Sequence, residues 1–197
     1  MLITIFTLII LLLSVILHEL AHGYTALSLG DSTAKDAGRL TLNPLNHLEL
    51  FGSFLLPLFL FITWGRAFGW AKPVPINSYN FKDQKNGILK VSLAGPAANF
   101  LIAIFFGLII RFIPLNLSFV KLLSIIVLYN FFWGLFNLVP IPPLDGSHIL
   151  FSLLPERFAG LKIFFQQHWI MLLMGFMLFG MNWLFSIAIN LYTLLVG

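Results

Sequence analysis

His18, Glu19 and His22 stand in the stretch SVILHELAHGY, residues 14–24, and form the pattern H-E-x-x-H. On a helix, residues four apart lie one above the other, so the two imidazoles can close on one metal ion. Glu19 lies beside that face, where it can accept a proton from a water held at the metal. The setting sharpens the reading, because the apolar run LITIFTLIILLLSVIL leads straight into the pattern. A charged side chain at bilayer depth costs on the order of 3 kcal/mol on insertion scales. A pair of merely packing histidines is the plain alternative, but three ionisable groups at that depth need to satisfy one another.

A catalytic zinc site usually takes a third protein ligand and keeps a fourth position for water. The acidic residues are Glu19, Asp31, Asp36, Glu49, Asp83, Asp145 and Glu156, and there is no cysteine to compete. Asp145, in NLVPIPPLDGSH, follows a long apolar helix in a segment broken by Pro and Gly. Broken backbone at membrane depth is tolerated where it is buried in protein or lines a cavity. Asp145 is therefore the expected third ligand, against the ordinary reading of an Asp-Gly turn.

These residues must be held by membrane-spanning elements. The chain has 197 residues, 59% hydrophobic and 9% charged, where soluble domains carry about 25% charged residues. The fold class expected is an all-α polytopic membrane protein forming a single domain, 1–197. Three long core helices are expected over about 2–29, 88–113 and 118–139, each near or above the roughly 20 residues that cross a bilayer. Residues 50–64 are apolar but short and carry Pro57, so a re-entrant segment is expected there. The last apolar stretch, about 165–197, is too long for one upright span, and two short helices turning near Gly180–Asn182 are expected. The first apolar run lacks a preceding Lys or Arg and an A-x-A-like cleavage site, unlike a signal peptide. The net charge of +4 is scattered, which suits lipid headgroups and offers no basic cluster for nucleic acid.

The pair H-E-x-x-H and N-x-x-P-x-P-P-L-D-G (Asn137 to Gly146), in that order on two apolar segments, resembles the site-2 protease family of intramembrane zinc metalloproteases. Gly95-Pro96-Ala97-Ala98-Asn99 looks like the family's G-P-x-x-N helix, and GRLTLNPLNH and FGWAKPVPIN look like a compact bacterial subgroup. The resemblance implies that His18, His22 and Asp145 bind one zinc ion per chain, that Glu19 is the general base, and that Asn137 steadies the substrate or the oxyanion. It implies hydrolysis of a peptide bond in or beside a transmembrane segment of a membrane-protein substrate, in regulated intramembrane proteolysis. No stretch of these residues matches the family's PDZ or CBS domains, so accessory control is expected from elsewhere. His148 stands where relatives often carry Arg, and reads as an incidental polar group near the site.

Weaker features remain. Asn43, Pro44 and His47 suit either a loop by the site or an ordinary Asn-Pro turn. FGWAKPVPIN suits either an extended edge for a substrate strand or an interfacial linker anchored by Trp70. Ala94, Gly95, Ala97 and Ala98 suit close helix packing. The rival reading is a membrane metal carrier or a non-catalytic zinc-binding scaffold. A carrier needs a series of ligands across the membrane, whereas one cluster is found, and a pure binding site has no use for Glu19. For helices 2–29 and 118–139 to share a metal at their C-terminal ends they must run parallel. With a re-entrant 50–64, most Lys and Arg then collect on the face nearer the site, which the positive-inside rule places in the cytoplasm of a bacterial cell.

Overall fold

The computed structural model describes residues 2–49, 55, 62 and 72–197. Among these the chain is helical: α1 (Leu2–Ser28), a short α2 (Thr33–Asp36), α3 (Gln84–Phe112), α4 (Leu117–Asn137), α5 (Asp145–Leu153), α6 (Ala159–Gln167), α7 (Trp169–Phe179) and α8 (Met181–Val196). Three helices among the described residues, α1, α3 and α4, are long and apolar enough to cross a membrane. Their outer faces carry exposed apolar side chains such as Leu2, Leu8, Ile9, Leu101, Phe105 and Phe119. A surface of that kind is stable against lipid. The chain is an integral, multi-pass, all-α membrane protein.

The central helix is α3, which packs against α1, α4, α5 and α8. It begins four residues before the expected 88, because Asp83 caps it: the Asp83 carboxylate accepts the backbone N–H of Asn86 at 3.1 Å. The core between α3, α4 and α8 is Ala103, Val127, Phe131 and Ala188, and small residues there let the helices approach closely. Ala97 departs from the packing expectation by facing outward, whereas Gly95 is buried.

Helix directions follow from cross-helix bonds. Ser14 of α1 meets Asn130 of α4, and His18 of α1 meets Asp145 beyond the end of α4. The two helices therefore run parallel, and their C-terminal ends lie together. His22 of α1 meets Val91 of α3 while Ser14 meets Asn99, so α3 runs the other way. The Lys72 N–H donates to the His47 carbonyl at 2.8 Å. The chain thus returns at residue 72 to the end of the bundle it occupied at residue 47. The expected re-entrant segment 50–64 lies outside the described residues, as do Trp70 and the first four residues of FGWAKPVPIN.

The C-terminal part breaks twice. α7 and α8 divide at Gly180, within the turn expected at Gly180–Asn182. A second break, at His168, bends Glu156–Gln167 away from α7 by 72°. No Gly or Pro marks that position in the sequence.

Candidate metal centre

The polar centre is assembled from the C-terminal half of α1, the first residue of α5 and the middle of α3. Asp145 opens α5 directly after the Pro-rich turn. The next residue, Gly146, is buried against the end of α4, where a Cβ would overlap the Leu138 carbonyl. Only glycine lets the turn close tightly enough to swing Asp145 back toward α1.

The Nε2 atoms of His18 and His22 stand 3.0 Å apart. Asp145 Oδ2 lies 3.0 Å from the first and 3.2 Å from the second. Both histidines are buried, and Asp145 Oδ2 is a buried oxygen without a hydrogen-bond partner. The other ring nitrogens face fixed acceptors. His18 Nδ1 is 2.6 Å from Asn99 Oδ1, and His22 Nδ1 is 2.7 Å from the Val91 carbonyl. A carbonyl oxygen only accepts, so each Nδ1 carries a proton. In the neutral rings each Nε2 then offers a lone pair. Three electron-pair donors thus face one point. A proton can bridge one pair of them at a time, whereas a divalent ion serves all three.

Tetrahedral ligands at about 2.0–2.1 Å from zinc stand about 3.3 Å from one another, close to the spacings here. The donor set, two imidazoles and a carboxylate, is one that zinc takes. Gly95 of α3 faces the same point, and a Cβ there would overlap the Nε2 atoms of both histidines. The space beside the nitrogens is kept open by the absence of a side chain.

The three donors line a cavity of about 450 Å³, shared with Glu19, Asn137, His148 and the extended segment at Pro73, Val74 and Ile76. Glu19 is half-buried, and its Oε2 accepts the Val74 N–H at 2.8 Å. Asn137 lies at the last turn of α4, its Nδ2 donating to the Trp133 carbonyl at 3.1 Å. His148 is one helical turn from Asp145 and faces the cavity, but stands outside the close His18, His22 and Asp145 group. That group is the one metal-competent cluster among the described residues.

Asn43, Pro44 and His47 do not enter the cavity. Asn43 caps the turn Pro44–His47, and His47 is buried with its Nε2 donating to the Thr41 carbonyl at 2.8 Å. The His47 carbonyl holds Lys72, the start of the segment 72–77, which is neither helix nor strand and lines the cavity through Pro73, Val74 and Ile76. Arg39 holds that segment through the carbonyls of Lys72 and Pro73, at 2.8 and 3.3 Å. Asp31, fully buried, holds its far end by accepting from the Asn77 N–H at 2.8 Å and from Asn80 Nδ2 at 2.7 Å, besides Thr33. Burial works against the charged form of Asp31, yet the bonds from Thr33, Asn77 and Asn80 hold its pKa below the usual carboxylate value. Asp31 has no part in the motifs. Its only sequence signal is its place in Gly-Asp-Ser-Thr directly after α1, an Asx-turn composition.

Residues 114–181 match the family model described as Peptidase family M50. YwhC of Bacillus subtilis, named as a zinc metalloprotease, is 40% identical over 154 residues, 74% of this chain and 67% of its own length. Zinc metalloprotease MJ0392 of Methanocaldococcus jannaschii is 29% identical over 78% of this chain and 36% of its own length. Rip2 of Mycobacterium tuberculosis, also named as a zinc metalloprotease, is 30% identical over 93% of this chain and 71% of its own length. No solved structure matches the chain.

Proposed function

We propose, from the premise that the chain belongs to peptidase family M50, that its buried polar centre hydrolyses peptide bonds in or beside a transmembrane segment of a membrane-protein substrate. The chain is a zinc metalloprotease embedded in the membrane. The observation that carries the reading is the convergence of three lone-pair donors, 3.0–3.2 Å apart, beside a carboxylate that is not one of them.

His18, His22 and Asp145 would hold the zinc ion, one per chain. A zinc ion held by these three residues would supply Lewis acidity, making a water acidic enough to lose its proton near neutral pH. Glu19 accepts the proton as the water attacks the carbonyl carbon, and returns it to the departing amine nitrogen. The Val74 N–H keeps the Glu19 carboxylate on the cavity wall. Asn137 lines the same cavity, and the second N–H of its amide, the first being given to the Trp133 carbonyl, is the proposed donor to the developing oxyanion. His148 stays an accessory polar group. A substrate helix must unwind to enter, because the peptide bond has to come free of its helical hydrogen bonds; the extended segment 72–77 offers a neighbouring backbone.

Residues 1–197 act as one protease domain in a bacterial cytoplasmic membrane, working in regulated intramembrane proteolysis. The site lies nearer the cytoplasmic face. In support, Lys35, Arg39, Lys72 and Lys82 fall between α1 and α3 and Lys85 in the first turn of α3, at the site's end, whereas Arg111 and Lys121 flank the turn at the other end. The single cluster among the described residues gives no ligand series of the kind a metal carrier needs. The test is incubation of the purified protein with a panel of transmembrane peptides, with and without chelator, read by mass spectrometry. Chelator-sensitive cuts within apolar segments are expected. Cuts that persist in chelator, or none on any peptide with zinc bound, would overturn the reading.

A further inference from the structure

Three buried polar side chains lie behind the metal centre: Ser14 on α1, Asn99 on α3 and Asn130 on α4, the two asparagines fully so. The motifs account for none of Ser14 and Asn130. Buried polar groups at bilayer depth persist where they are satisfied and functional.

Their bonds have a direction. Asn130 Nδ2 donates to the Ile126 carbonyl at 2.9 Å and to Ser14 Oγ at 3.0 Å. That turns Asn130 Oδ1 toward Asn99, whose Nδ2 donates to it at 3.0 Å and to the Ser14 carbonyl at 3.4 Å. Asn99 Oδ1 is thereby turned to His18 Nδ1, 2.6 Å away. A hydroxyl can rotate to suit either partner, but the carbonyls of Ile126 and Ser14 can only accept. If Asn99 were flipped, its NH2 would face His18 Nδ1, and the ring would have to carry its proton on Nε2, where no metal can then bind. The flip would also set Asn99 Oδ1 against Asn130 Oδ1, and relieving that by flipping Asn130 would set oxygen against the Ile126 carbonyl. His22 needs no such device, since its Nδ1 rests on a backbone carbonyl directly.

We infer that Asn130 is a positioning residue for the metal centre: with Ser14 it fixes which way round the Asn99 amide sits, and so which nitrogen of His18 is free to bind zinc. This rests on the reading of His18, His22 and Asp145 as the zinc ligands, and it extends that reading to a residue on a third helix. Loss of such supporting bonds typically weakens metal binding about 10–100-fold.

The test uses full-length protein in detergent, with zinc affinity measured by chelator competition and ring-nitrogen NMR on 15N-histidine-labelled metal-free protein, thermal unfolding confirming the fold. Asn130→Leu, of similar volume, should raise the zinc dissociation constant about 10–100-fold and give His18 a mixed tautomer, leaving His22 unchanged. A role in packing alone leaves the His18 proton wholly on Nδ1. Unchanged affinity in Asn130→Leu, or a folded Asn130→Leu whose His18 keeps its proton wholly on Nδ1, overturns the inference. Should Asn130→Leu not fold, the wild type decides: His18 must keep its proton on Nδ1 in the metal-free protein, and a bare Nδ1 overturns the relay. Absence of zinc binding in the wild type, with His18 still protonated on Nδ1, would instead overturn the ligand reading.

Discussion

At the scale of residues, the centre is defined as much by what is missing as by what is present. Gly95 leaves open the space that the two Nε2 atoms face. Gly95→Ala should therefore lower zinc occupancy while removing no ligand, and metal analysis of the purified variant checks it; full occupancy would show that the space is not the metal's. Asp145→Ala removes the third of the converging donors and should lower zinc content and activity together, whereas His148→Ala should change zinc content little. Reversed behaviour of those two variants would reassign the third ligand. The pattern of His18, Glu19 and His22 was legible because helical periodicity puts i and i+4 on one face, and Asp145 because few acidic residues compete. Asn130 was not legible. A single asparagine in an apolar helix has no local spacing that names its partners, and those partners are on two other helices.

At the scale of elements, the long helices were readable from apolar length, and their ends were less so. The Asp83 cap extends α3 past its first apolar residue, and the bend at His168 has no Gly or Pro to announce it. Pro73 and Pro75 exclude a regular helix over the segment 72–77, but its anchoring by Asp31, Arg39 and His47 depends on distant contacts. Asp31 gives this element a pH dependence. Its pKa is held below the ordinary value, so its contribution to stability is present above the unfolded pKa of about 3.9 and is lost as pH falls through the folded value. Thermal unfolding between pH 3 and 7 should show stability falling on the acid side. Asp31→Asn should flatten that limb and cost about 1–3 kcal/mol at neutral pH through the acceptors it takes away. An unchanged acid limb in Asp31→Asn would place the dependence elsewhere. Gly146→Ala should likewise damage the turn that delivers Asp145, with a loss of zinc beyond any loss of fold.

At the scale of the whole molecule, a membrane span places two ends on opposite faces, and a shared metal places two ends on the same face. The parallel course of α1 and α4, expected from that parity, follows here from Ser14 meeting Asn130 and His18 meeting Asp145. Asp31 joins residues 31–33 to residues 77–80, whereas Ser118 lies in the first turn of α4 at the other end. The chain has no cysteine, so single cysteines at Ser32, Ser78 and Ser118 report without background. A membrane-impermeant reagent added outside the cell should label only position 118; labelling of 78 but not 32 would contradict the fold. In the proposed mechanism, zinc held by this site and a carboxylate that does not bind it divide the chemistry between them. Zinc content and cleavage of a transmembrane peptide, measured on one preparation each of wild type and Glu19→Gln, test that division. One zinc per chain is expected in both proteins, with a cleavage rate at least about 100-fold lower in the variant. A variant that cleaves at the wild-type rate, or that has lost its zinc, would contradict it.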